Sequence, residues 1–221
     1  MPLHQGRTAQ HQRHDITTGK TLHQARLYDP LAALFMLGRG RALRERTIAL
    51  AHVAPGDRVL EVGCGTGEVA LRARTRSGPT GSVAGIDASS EMIAVARQKA
   101  ARANLDIDLR IAAVEALPFA DATFDVVLSS LMMHHLPEDL KPRALAEMRR
   151  VLAPGGRLLV VDFQRPKSRL ARLSPVWLVH RRLPSGVQEL PTLLERAGFA
   201  AVASGDTGFG YLGFVHGRVG L

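Results

Sequence analysis

Three glycines at alternate positions, Gly63, Gly65 and Gly67, have the spacing in this chain that most strongly suggests a binding site. An apolar run precedes them and a helical pattern follows, which predicts a strand, a turn and a helix over residues 57–71. Glycine has no Cβ, so a ligand can lie against the backbone of such a turn, and the helix N-terminus beyond it favours negative charge. A second predicted strand ends at Asp87, where doubly wound sheets place the acid that binds ribose hydroxyls. Together these features predict a nucleoside site.

The same spacing argues against a pyrophosphate. The third glycine comes one residue too soon for the dinucleotide pattern G-x-G-x-x-G, and Glu61 inside the first strand is foreign to that pattern. Taken alone, a turn with these glycines is as often a plain turn as a ligand site. The strand ending at Asp87 is what favours the ligand site.

Four segments in order resemble the motifs of class I S-adenosylmethionine-dependent methyltransferases. They are V-L-E-V-G-C-G-T-G at 59–67, G-I-D-A-S-S-E-M-I-A-V-A-R at 85–97, A-L-P-F-A-D-A-T-F-D-V-V-L-S-S at 116–130 and L-A-P-G-G-R-L-L-V-V-D-F at 152–163. The resemblance runs from Tyr28 to Pro166, with a weaker tail at 193–199, and its nearest branch is the ubiquinone/menaquinone C-methyltransferases. It implies an α/β fold with a doubly wound, seven-stranded, mostly parallel sheet, S-adenosylmethionine as cofactor, and methyl transfer.

The chain of 221 residues suits a single domain with a substantial core. We expect a flexible N-terminal arm at 1–21 and a methyltransferase domain at 22–221. Within the domain we expect a helical cap at 22–50, a cofactor-binding core at 51–163, a substrate-cap insertion at 164–187, and a C-terminal helix with strands at 188–221. The later patterns predict strands at 107–111, 124–128, 157–163, 199–204 and 211–216, and helices at 140–152 and 188–197.

The resemblance assigns a set of residues to the cofactor: Tyr28, Glu61, Gly63, Cys64, Gly65, Gly67, Asp87, Ala88, Met92, Ala113, Val114, Glu115, Ser129 and Ser130. Tyr28 would touch the methionine end or merely anchor the cap. Met92 would form an apolar wall for adenine. Relatives often have an aspartate where this chain has Ala113, so backbone groups of Ala113 and Val114, or the side chain of Glu115, would have to bind the adenine amino group.

Cys64 sits inside the glycine turn, where a nucleophilic role is conceivable. Packing is the better interpretation, because a small residue fits there and neither His nor Asp lies nearby in sequence to activate the thiol.

His134 and His135 follow the predicted fourth strand, where ligands of a parallel sheet collect. A neutral imidazole there could accept a proton from the methyl acceptor, so both are candidate catalytic residues. The competing interpretation is an H-H-L element that only fixes the loop, since methyl transfer can run on alignment alone. Asp162 could face the substrate, but we expect it to pair with an arginine.

Composition leaves the partners open. Apolar content of 46% and charged content of 22% are ordinary, whereas the net charge of +9 fits nucleic acid, an anionic membrane, an acidic substrate, or simply an arginine-rich surface. No apolar run could span a bilayer, no signal-peptide core is visible and Cys64 is the only cysteine, which together predict a cytoplasmic protein. The scattered histidines lack metal-ligand spacing, so no metal is expected.

Residues 164–185 combine arginines with leucines and one tryptophan. They suit a substrate cap or a helix on an anionic membrane surface, and the two are compatible. The sequence therefore predicts methyl transfer to oxygen, nitrogen or carbon of a small or lipid-like acceptor. The alternatives are a membrane-associated quinone or phospholipid methyltransferase and a protein that binds the cofactor without transfer. RNA methylation is disfavoured, because S-S-L-M stands where amine-methylating enzymes have N-P-P-Y. Oligomeric state is left open.

Overall fold

The computed structural model describes residues 38–164 and 186–221. The expected arm at 1–21, Tyr28 with the first part of the helical cap, and the insertion from 165 to 185 with its proposed membrane contact lie outside the described residues.

Seven strands form one sheet in the order β3-β2-β1-β4-β5-β7-β6. The first five in sequence are parallel, whereas β7 runs antiparallel to both β5 and β6. The strands are β1 (Arg58–Val62), β2 (Ser82–Asp87), β3 (Asp108–Ile111), β4 (Phe124–Ser130), β5 (Leu152–Phe163), β6 (Ala200–Phe209) and β7 (Leu212–Arg218). The expected doubly wound, seven-stranded, mostly parallel sheet is confirmed.

Helices cover both faces of this sheet. The described helices are α1 (Gly40–Leu50), α2 (Glu68–Ser77), α3 (Ser90–Arg102), α4 (Lys141–Val151) and α5 (Leu190–Arg196), with 3-10 turns at Met133–His135 and Val187–Glu189. Side chains of α4 and α5 share one apolar cluster with the sheet, and those of α1 and α2 share the other. A smaller cluster holds α3 over β3. Within the described parts of the chain, no helix is both long and apolar enough to cross a membrane.

The central strand β4 shows why the parallel arrangement could be expected. Val127 packs into the cluster with α4, whereas Val126 and Leu128 pack into the cluster with α1 and α2. All three are fully buried, as an apolar run in a parallel strand requires.

Several element boundaries differ from the sequence-based prediction. β3 begins at Asp108 rather than at 107, and β4 continues to Ser130 rather than ending at 128. α4 is one residue shorter at each end, and the helix expected from 188 begins with the 3-10 turn at 187–189.

The largest boundary differences are in the strands that lie beyond β4 in the sheet. β5 begins five residues early at Leu152, because that residue already pairs with Phe124 before the strand resumes regular pairing at Arg157. β6 extends to Phe209 and β7 to Arg218 because each continues the antiparallel ladder that β7 makes with its two neighbours.

Candidate cofactor and catalytic site

Tyr28 lies outside the described residues, and the other residues assigned from sequence are found at or next to the carboxyl edge of the parallel strands. Val62, the last residue of β1, pairs with Ile86 of β2 on one side and with Ser129 of β4 on the other. Asp87 pairs with Ile111 at the end of β3. The turns that follow these four strands therefore lie side by side, where open parallel sheets bind their ligands.

The glycine turn is built as predicted. Gly63, Gly65 and Gly67 have φ angles of 73°, 52° and 81°, in the left-handed region that glycine adopts without strain. The N–H groups of Gly63 and Cys64 donate to Ile86 O at 2.9 and 2.8 Å, which ties the turn to β2. A Cβ added at Gly65 would meet no described atom within 4 Å, so this position can lie directly against a ligand.

Asp87 closes the turn from the side of β2. Its Oδ2 accepts from Gly65 N at 2.9 Å and its Oδ1 accepts from Ser89 N at 2.9 Å. Burial raises the pKa of Asp87, and these two N–H donors oppose that shift. Because each carboxylate oxygen can accept more than one hydrogen bond, Asp87 retains capacity for the two hydroxyls of a ribose.

Glu61 lies buried in β1, with 2% of its surface exposed. Burial raises its pKa to about 8, opposed by the Ala70 N–H, which donates to the carboxyl. Its Oε2 has no hydrogen-bond partner among the described residues. A buried polar atom of this kind fits a donor brought in by a ligand, such as the ammonium group of S-adenosylmethionine.

Cys64 behaves as a packing residue. Its side chain is buried against Gly85, where an added Cβ would lie 3.2 Å from the sulfur. Burial, followed by the nearby carboxyl of Glu61, raises the pKa of the Cys64 thiol well above its usual value. The thiol therefore stays protonated, which supports packing over nucleophilic attack.

The segment expected to contact adenine is joined to the same edge. Ala112 N donates to Asp87 O at 3.1 Å, and Ala113 and Val114 follow as buried residues. Met92 is buried in the first turn of α3, which Ser89 caps by accepting from Met92 N at 3.3 Å. Ala88 and Glu115 are half-buried beside these residues in the sequence. The structure thus places backbone and apolar surface at the position where the resemblance implies an aspartate.

The end of β4 adds two features. Ser129 is buried and its Oγ has no hydrogen-bond partner within the described chain, while Ser130 is half-buried. Leu131 then adopts φ +57°, a left-handed conformation that is strained for leucine, and its N–H donates to Val161 O at 2.8 Å. Met132 packs over the first glycine, because a Cβ at Gly63 would lie 2.3 Å from its Cγ. Nothing in the sequence distinguished Met132.

The expectation that Asp162 pairs with an arginine is wrong. Its Oδ1 lies 2.7 Å from His134 Nδ1, and its Oδ2 accepts from the His134 backbone N–H at 3.0 Å. The His134 ring contacts two other rings: that of His135, with centroids 4.0 Å apart, and that of Phe163, with centroids 4.8 Å apart. Sequence reasoning missed this pair, although adjacent parallel strands ending in D-F and in S-S-L-M-M-H-H contained the signal.

Further aromatic side chains lie on the sheet face that α1 covers, the same face as Phe163. Phe163, Phe209, Tyr211 and Phe214 belong to the apolar cluster on that face, together with Leu131. The Arg39 guanidinium stands 4.7 Å from the centre of the Phe209 ring. In the described residues, no group of three or more His, Cys, Asp or Glu side chains is arranged to hold a metal ion.

These features define the class of protein. The sheet is open, a glycine turn follows β1, an acid ends β2, and a buried carboxyl oxygen lacks a partner among the described residues. This combination is typical of α/β proteins that bind a nucleoside cofactor at the carboxyl edge of the sheet. The donors and acceptors present fit S-adenosylmethionine, whose ribose hydroxyls, ammonium and adenine match Asp87, Glu61 and the Met92 wall.

Comparison with known proteins narrows the class. Residues 59–156 match the methyltransferase domain family. The chain is 33% identical over 218 residues to the ubiquinone/menaquinone biosynthesis C-methyltransferase UbiE of Geobacter sulfurreducens, covering 88% of this chain and 84% of that one. A SAM-dependent methyltransferase structure from Aquifex aeolicus aligns with a TM-score of 0.69 at 23% identity, over 89% of this chain and 97% of that one. The [4+2]-cyclase SpnF aligns at 0.66 with 20% identity, over 82% and 81%.

The chain therefore belongs to the class I S-adenosylmethionine-dependent methyltransferases, and it resembles their ubiquinone/menaquinone C-methyltransferase branch. The predicted family, cofactor and activity are confirmed.

Proposed function

We propose that this methyltransferase holds S-adenosylmethionine against the glycine turn and Asp87 and methylates an apolar, ring-bearing acceptor. The observation that carries the proposal is the turn itself, where Gly65 is open toward the ligand side and its N–H is fixed by Asp87. When bound, S-adenosylmethionine supplies a methyl group on a sulfonium sulfur, which keeps the electron pair of the broken carbon–sulfur bond.

We infer the acceptor class from the aromatic side chains at this edge. Phe163, Phe209 and Tyr211 lie at the same edge of the sheet as the glycine turn, because β7 starts opposite the end of β5. Phe163 and Phe209 are buried and Tyr211 is half-buried, and aromatic surroundings of this kind favour planar or lipid-like molecules over charged ones. The name of the Geobacter relative points to quinone precursors, so hydroquinones are the first acceptors to test.

The cofactor site is tested by calorimetric titration with S-adenosylhomocysteine. We expect wild type to bind it and Asp87→Ala to bind about 10- to 100-fold more weakly, because two hydroxyl hydrogen bonds to a carboxylate are lost. Asp108→Ala is the matched control, since Asp108 lies on the neighbouring strand β3 and its side chain forms an ion pair with exposed Arg110. Equal affinity in wild type and Asp87→Ala would remove the proposed site. Binding without methylation of any acceptor would favour a protein that uses the cofactor without transfer, and SpnF shows that the fold also occurs in a cyclase.

A peripheral membrane contact through residues 164–185 remains our proposal from sequence. Basic residues interspersed with leucine and Trp177 suit an anionic surface. We expect the protein to co-sediment with vesicles containing phosphatidylglycerol and to be released as salt rises, because electrostatic attraction is screened. A variant with Arg165, Arg169 and Arg172 changed to Gln should stay in the supernatant. Failure of wild type to bind these vesicles at low salt would exclude the contact.

A further inference from the structure

The carboxylate of Asp162 is buried at the end of β5, and both of its oxygens accept hydrogen bonds. Only 2% of its surface is exposed. Its Oδ2 accepts from His134 N at 3.0 Å, and its Oδ1 accepts from Phe163 N at 2.7 Å while lying 2.7 Å from His134 Nδ1. Two backbone donors thus fix the carboxylate, and the fixed carboxylate in turn fixes the histidine ring.

This contact determines which ring nitrogen carries the hydrogen. Both Asp162 oxygens accept from backbone N–H groups, so we assign Oδ1 as an acceptor toward the ring as well. Nδ1 is then the donor, and the lone pair of the uncharged ring lies on Nε2. Asp162 is the only hydrogen-bond partner of the His134 ring among the described residues. His135 and Phe163 contact the ring, which restricts its rotation.

The loop that carries His134 begins at Leu131 and is held against the glycine turn. Its first residue, Leu131, is kept in a strained left-handed conformation by its bond to Val161 O, and Met132 then packs on Gly63. Backbone strain that is held in place by such bonds clusters at functional sites. The loop that carries His134 is therefore attached to β5 on one side and packed on the first glycine of the cofactor turn on the other.

We propose that Nε2 of His134 accepts the proton of the methyl acceptor and that Asp162 is the positioning residue that makes this possible. The acceptor atom forms its bond to the methyl carbon with its own electron pair, and its proton moves to Nε2. His134 becomes an imidazolium whose positive charge is balanced by the Asp162 carboxylate.

The proposal names an acceptor class and rests on the proposed function. An acceptor that uses this pair must lose a proton as it is methylated, as a phenolic hydroxyl or the ring carbon of a hydroquinone does. Tertiary amines and thioethers have no such proton and would gain nothing from it.

The tautomer of His134 is measured first, by nitrogen-15 NMR on the ligand-free protein. We expect Nδ1 to carry the hydrogen in wild type. In Asp162→Asn the amide oxygen would keep accepting from the His134 backbone N–H, and the amide NH₂ would take the place of Oδ1 and donate to Nδ1, so the hydrogen moves to Nε2. A wild-type ring protonated on Nε2 would overturn the proposal, and this result does not depend on any acceptor.

Single-turnover methylation of 1,4-naphthohydroquinone is the second measurement. We expect Asp162→Asn and His134→Gln each to lower the rate about 10²- to 10³-fold, the usual contribution of a positioned base. S-adenosylhomocysteine affinity should be unchanged in both, and added imidazole should restore part of the rate of His134→Ala. His52→Asn, an exposed histidine at the other edge of the sheet, is the control. A His134→Gln rate equal to that of wild type would refute the proposed role of the His134–Asp162 pair. Failure of wild type to bind S-adenosylhomocysteine would instead refute the proposed function.

Discussion

Gly65→Ala is expected to lower S-adenosylhomocysteine affinity at least about 100-fold, which corresponds to about 2.7 kcal/mol. The added methyl group meets no described atom of the chain within 4 Å, so it projects into the space against which the ligand must lie. The φ angle of +52° costs alanine only about 1–2 kcal/mol, so the variant should still fold. Isothermal titration together with urea unfolding separates the lost affinity from the small loss of stability.

Two other glycines make this prediction specific. Gly56 has φ +88° at the opposite edge of the sheet, where an added Cβ would make only an ordinary contact with Thr80, so Gly56→Ala carries comparable strain and should bind normally. Gly63→Ala should instead lose stability, because the new Cβ would overlap Met132. Undiminished affinity in Gly65→Ala would mean that the cofactor does not lie on this turn.

The first half of the fold was predictable because its signals are local. The glycine turn, the strand before it and the cap at Ser89 each depend on residues within a few positions of one another. The structure has β1 at 58–62 and α2 from Glu68, within one residue of the pattern, and Ser89 caps α3 by accepting from Met92 N. Tight turns and caps leave such signals because particular residue types are needed there.

The second half depends on pairing between distant segments. The stretch S-G-D-T-G at 204–208 resembles a loop, but β7 pairs with Ser204, Gly205 and Asp206 and keeps them in a strand. Composition does not show such a ladder, because strand preference depends on the neighbouring strand. Residues 153–156 are likewise included in β5, because Leu152 already pairs with Phe124 of β4 and because Gly155 and Gly156 bond to residues that follow β7.

The site residues likewise divide into those predictable from local sequence and those that depend on pairing between distant segments. Asp87 and the glycines are found from spacing alone, whereas the partner of Asp162 is 28 residues away in the chain. Ser130 of β4 pairs with Val161 of β5, and this register brings the loop after β4 onto the end of β5. From the sequence we expected an arginine partner, but a buried carboxylate is satisfied by the donors that the fold brings to it.

The second prediction concerns how the free energy of unfolding depends on pH. We expect Glu61→Gln to abolish a loss of stability that wild type suffers between about pH 4.5 and pH 8. Burial raises the pKa of Glu61 from 4.5 to about 8, so the folded state keeps a proton that the unfolded state has lost. The contribution of this proton to the free energy of unfolding is complete below the pKa of the unfolded state and disappears as pH rises through the pKa of the folded state. The free energy of unfolding falls by about 1.4 kcal/mol per pH unit, and by about 4–5 kcal/mol in all. Glutamine can still accept from Ala70 N and has no charge to bury, so its stability should not follow this slope.

Urea unfolding at intervals from pH 5 to pH 9 measures the difference between the two proteins. Glu147→Gln is the control of opposite sign, because Arg150 lowers the pKa of Glu147 and its stabilisation is present above the unfolded pKa and lost only toward acid. That variant should therefore be less stable than wild type at neutral pH, whereas Glu61→Gln should be more stable there. Parallel pH dependence of wild type and Glu61→Gln would show that Glu61 is already ionised in the folded protein. Its orphaned oxygen would then carry a full negative charge toward the cofactor turn before any ligand arrives.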